Sequence, residues 1–117
     1  MSDIQQLPLF INEFTTEIDQ LRQRFIALSE VALPQKAKDT GHYPVRYDHC
    51  FKRIALDVAV HQCWYDVIQK PAIRHATAEQ LQRAIATLEM MLDSPDEANR
   101  FNQISLGFRK RRNAEVK

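Results

Sequence analysis

Between residues 7 and 32 the apolar side chains keep one unbroken rhythm: Leu7, Ile11, Phe14, Ile18, Leu21, Phe25, Leu28 and Ala32, in alternating steps of four and three. A repeat of about 3.5 residues holds one stripe of an α-helix against a neighbouring helix along its length. Strands need a period of two, and no segment of this chain alternates in that way. Asp19, Gln20, Arg22, Gln23 and Arg24 fall on the other faces, Pro8 suits a helix start, and Pro34 suits a helix stop. So long an amphipathic helix requires a second helical surface. Either the chain supplies it, making the segment the long arm of a bundle, or a second copy does, making residues 7–32 a homodimer seam.

The remainder of the chain reads as three more helices. Residues 34–46 hold Pro34, Gly41 and Pro44 without periodicity, which predicts a loop, longer than usual between helices and of the kind that often carries function. A second helix is expected from Tyr47 to Gln69, before Pro71. It is apolar over most of its circumference, which places it at the bundle centre, with Trp64 as core. Thr77 with Gln80 makes a capping box for a third helix carrying Leu81, Ala84, Ile85, Leu88, Met91 and Leu92, with Met90 and Met91 as core filler and His75 in the loop before it. Ser94 and Pro95 open a fourth, with Ala98, Phe101, Ile104, Ser105 and Phe108 inward. The fold class is all-α: a four-helix-bundle-like single domain over 1–108, with a long N-terminal helix and a flexible, frayed basic C-terminus over 109–117.

Several function classes drop out early. Two glycines cannot build a phosphate-cradling loop. The opening MSDIQQLPLF lacks a basic stretch followed by an apolar one, so no signal peptide is expected, and no run of about 18 apolar residues predicts a membrane span. Cys50 and Cys63, if on one helix, sit about 20 Å apart on nearly opposite faces, beyond disulfide reach. They fit buried thiols in a reducing cytoplasm.

Chemistry concentrates in the second helix. His49, Arg53, Asp57 and His61 recur every four residues, with Tyr65 next, forming one polar ridge along a helix that is otherwise buried. Buried charges must be paired, and Arg53 and Asp57 are spaced to pair with each other. The ridge reads as a satisfied network that fixes helix register, or as a small site for an anionic or polar ligand under the 34–46 loop, with His42, Tyr43 and Arg46 nearby. Within the second reading, Asp57 orienting His61 as a general base would suit catalysis, although no nucleophile stands beside them. Asp57 and His61 could also ligate a metal, but Arg53 between the histidines repels a cation, so no metal site is assigned and no cofactor is implied.

The charge is uneven. Residues 1–30 carry five acids against two arginines, about −3, and residues 100–117 carry six cations against Glu115, about +5. Arg109, Lys110, Arg111 and Arg112 form a run that suits phosphates of a nucleic acid or an acidic partner, the chain's own first helix included.

The stretch from Arg46 through Tyr47, Asp48, His49, Cys50 and Phe51 to Arg53, Ile54, Ala55, Asp57 and Trp64, together with NQISLGFRK at 102–110, resembles short bacterial all-helical proteins of no established function. Some of these carry an acetyltransferase label, yet the acetyl-CoA-binding fold of that name needs strands and a pyrophosphate loop, and neither is legible here. The resemblance assigns no site residues. The sequence as a whole points to a cytoplasmic binding or interaction module, homodimeric if the seam is intermolecular. Its alternatives are a small-ligand-binding protein or enzyme using Arg53, Asp57 and His61, and a nucleic-acid-associated protein using the basic run.

Overall fold

The computed structural model describes residues 16–115. Thr16 caps the first helix by accepting from the Asp19 amide, and α1 spans Glu17–Ile26. At Ala27 the helix widens into a π segment, Ala27–Ala32, and then narrows into α2, Leu33–Thr40. Pro34 therefore does not stop the helix. It sits in the first turn of α2, where the wide turn before it makes no call on the missing N–H. Most of the expected 34–46 loop is accordingly helical, and only residues 41–47 connect. Gly41 ends α2 in the left-handed region at φ 70°, its amide donating to Ala37 O at 2.9 Å.

The π segment advances the apolar stripe by one position. Phe25 before it, Leu28 within it and Leu33 and Ala37 after it all reach the core, while buried Ser29 donates back to the Phe25 carbonyl at 2.8 Å. Ile18, Leu21 and Ala32 pack on the same core. Over residues 18–32 the repeat is thus engaged within the chain; Leu7, Ile11 and Phe14 lie outside the described residues.

The second helix is shorter than expected. α3 spans Asp48–Val60, well short of Gln69, because His61 turns left-handed at φ 61°. The amides of His61 and Gln62 both donate to Asp57 O, a Schellman-type ending without its usual glycine. Histidine tolerates that conformation better than most residues. A 3-10 turn at Trp64–Asp66 and the one-turn α4, Ala72–His75, complete the connection; His75 is exposed, with Nδ1 3.1 Å from Pro71 O. Cys50 and Cys63 are therefore not on one helix, and both thiols are free.

The capping box at Thr77 and Gln80 forms as expected and opens α5, Ala78–Asp93. Ser94 accepts from the Glu97 amide at 3.3 Å, and Pro95 opens α6, Pro95–Glu115. The chain is all-α, with the long 17–40 arm, α3, α5 and α6 as a four-helix bundle. α3 and α5 form the central pair, α1 lies along α5, and α6 packs on both. Phe51, Ile54, Leu81, Leu88 and Met91 are at most 1% exposed, and each such side chain contributes about 1.5–3 kcal/mol by burial. Met90, expected as core filler, is exposed, and Trp64 is partly buried. Among the described residues no helix is long and apolar enough to cross a membrane.

Candidate functional site

The ridge expected along the second helix is dismantled by its neighbours. His49 remains exposed at the first turn of α3, near Asp48 and stacked on Tyr47. His61 has left the helix, and it is not among the partners of Asp57. Arg53 and Asp57 do not pair either. Each reaches across to α6 instead, because two helices packed side by side bring better-aligned partners than one helix offers its own next turn.

Asp57 is fully buried and fully satisfied. Its Oδ1 accepts from the Trp64 amide at 2.9 Å and from Arg109 Nη2 at 3.1 Å. Its Oδ2 accepts from Ser105 Oγ at 2.7 Å and from Arg109 Nε at 2.9 Å. This two-toothed arginine clamp is the strong form of an ion pair. It ties α3, the turn at Trp64 and α6 together. Tyr65 lies beneath the clamp, with Arg109 4.9 Å and Arg112 5.1 Å from its ring centre, and Lys70 at 4.5 Å. Arg112 in turn donates to Asp66 at 2.7 Å. These anchors explain why α6 stays helical to Glu115 in place of the fraying expected past Phe108.

Arg53 has a different environment. It is half-buried, with Nη1 donating to Ser105 Oγ at 2.7 Å and Nη2 to Asn102 Oδ1 at 2.8 Å. Both acceptors are neutral, and among the described residues no carboxylate lies within ion-pair distance of it. Burial pushes its pKa below the ordinary arginine value.

Arg53 lines a cleft of about 440 Å³ between the end of α1, the π segment, α3 and the 64–73 connection. Phe25, Ile26, Leu56, Trp64 and Ile73 make its apolar walls, and Glu30, His49, Lys52 and Lys70 bring charged or titratable groups to it. Lys52 pairs with Glu30. The other candidate residues are dispersed: Arg46 is exposed and borders a second hollow beside Gly41 and Tyr43, and His61 borders a third beside Arg111 and Arg112. Asp57 and Tyr65 line none of the three. The expected site under the 34–46 segment is not assembled, since His42 is exposed and Tyr43 turns inward to donate to the carbonyls of Met91 and Leu92 at 2.7 and 3.1 Å.

Of the sequence-predicted site residues, only His49 and Arg53 line this cleft, while Asp57, Tyr65, Arg109 and Arg112 meet in the clamp instead. Lys52, Lys70, Trp64 and the apolar walls were not singled out as a site, and no local signal marks them. They meet because the chain doubles back after His61. Of the basic run, Arg109 and Arg112 are paired inward, whereas Lys110 and Arg111 are exposed. No protein-family model, curated protein or solved structure matches the chain.

Proposed function

We propose that the chain is a small-ligand-binding protein whose site is the cleft lined by Phe25, Leu56, Arg53 and Trp64. The observation that carries this reading is the pairing of an apolar hollow of ligand size with a few convergent charged groups, the usual make-up of small-molecule sites. It is a binding module rather than an enzyme, since Asp57, the carboxylate an acid–base pair would use, is committed to Arg109 and Ser105. A homodimer seam would lose residues 18–32 to the chain's own core. A nucleic-acid surface would lose two of its four clustered cations, Arg109 and Arg112, to Asp57 and Asp66. The free thiols suit a reducing, cytoplasmic setting.

Trp64 is the chain's single tryptophan and lines the cleft, so its emission reports occupancy. Compounds of naphthalene size, neutral and anionic, are expected to shift that emission in a saturable, one-to-one manner. Ile26→Ser, which removes a partly exposed wall residue, is expected to weaken binding about tenfold, the equivalent of one buried side chain. No saturable shift, or one indifferent to Ile26→Ser, would refute the assignment.

A further inference from the structure

We propose that the ligand is an amphiphilic monoanion, a carboxylate on an aromatic or branched apolar body, with Arg53 as the carboxylate's receptor. The proposal rests on the cleft being the binding site, and goes further by naming what enters it.

Charge is the first argument. Lys52, Arg53 and Lys70 border the cleft against one carboxylate, Glu30, so the lining is net positive. Behind it, the buried cluster on α3 and α6 contains two guanidinium groups, Arg53 and Arg109, and one carboxylate, Asp57. Arg109 takes both oxygens of that carboxylate. Arg53 hydrogen-bonds only neutral oxygens and feels Asp57 through space alone, a carboxylate already gripped by Arg109, so its burial is incompletely offset, a deficit that an incoming anion relieves.

Geometry is the second. Arginine carries five N–H groups, and two of those on Arg53 have partners among the described residues. The two bonds hold the guanidinium in place from behind. Ser105 Oγ accepts from Arg53 and donates to Asp57, so the receptor is braced by the same clamp that secures α6. A planar guanidinium fixed in this way matches a carboxylate better than it matches a spherical anion.

Size and surface are the third. A volume of about 440 Å³ lies within the range of small-molecule sites and suits a ligand of about two fused rings. Phe25 and Trp64 offer ring surfaces, and Ile26, Leu56 and Ile73 offer branched ones. A small inorganic anion would leave these walls uncovered, and a neutral hydrocarbon would leave Arg53 unanswered.

The test compares naphthalene-2-carboxylate with its near-isosteric neutral amide, naphthalene-2-carboxamide, by calorimetric titration of the full chain. The carboxylate is expected to bind at least about tenfold tighter, because a charge-assisted pair replaces a neutral contact. Arg53→Gln is expected to abolish that preference, so that carboxylate and amide bind the variant with equal affinity. Lys70→Gln, at an exposed position, is expected to lower only the carboxylate's affinity, by about two- to threefold. Equal binding of the two compounds to the native chain overturns the anion inference and leaves the cleft assignment standing. Failure of both to bind overturns the cleft assignment itself. A preference that survives Arg53→Gln removes Arg53 as receptor; should that variant not fold, Arg53→Lys decides, since it keeps the charge but loses the planar fork and is expected to weaken the carboxylate's binding, an unchanged affinity removing Arg53 as receptor.

Discussion

Arg53 and Arg109 face each other across one helix interface and share Ser105 and Asp57 as neighbours, yet their situations are opposite. Arg109 projects from α6 onto a fully buried carboxylate and grips both its oxygens. Burial works against its charge, but the hydrogen bonds and charge of Asp57 outweigh that, and its pKa rises above the ordinary value. Arg53 projects from α3 onto a hydroxyl and an amide oxygen; burial dominates, and its pKa falls. The difference separates scaffold from site. A buried charge whose partners are complete holds elements together, whereas one whose partners are all neutral retains capacity for something the chain does not itself supply.

The contrast breaks most sharply at the C-terminus. Ending the chain after Phe108 leaves Asp57 buried without its arginine and should destabilise the fold by about 3–5 kcal/mol, read from urea unfolding. A truncated chain as stable as the full one would return residues 109–117 to the role of a loose tail. Asp57→Ala should cost somewhat less, about 3 kcal/mol, because Arg109, 23% exposed, can regain water when its partner goes. Arg53→Gln should change stability by only about 1 kcal/mol, since it gives up two bonds to neutral acceptors, and the attraction of Asp57 and repulsion of Arg109 that it also removes act in opposite directions. If Arg53→Gln proved as damaging as Asp57→Ala, both arginines would be scaffold and the distinction between them would collapse.

Local features were legible in the sequence. The capping box at Thr77 and Gln80 and the Ser94–Pro95 start form as read, because each depends on residues within one turn of one another. The inward run of the first helix was legible too, since a repeat of about 3.5 residues has no strand equivalent. The helix end at His61 was not, because no glycine marks it and Asp57 helps to hold the turn through the Trp64 amide. The Arg53–Asp57 pair failed for a related reason. A pair four residues apart contributes a few tenths of a kcal/mol, and packing α6 alongside gave Asp57 a stronger partner in Arg109, 52 positions distant, leaving Arg53 to Ser105 and Asn102.

By itself the sequence determined the all-α class, the inward stripes and the places where α5 and α6 begin, because helical period and capping are set by neighbours a few residues apart. Only the tertiary structure decided which arginine is neutralised, where α3 ends and which side chains wall the cleft. Those outcomes depend on competition among groups far apart in the chain, settled by burial and by the partners that packing brings within hydrogen-bonding distance.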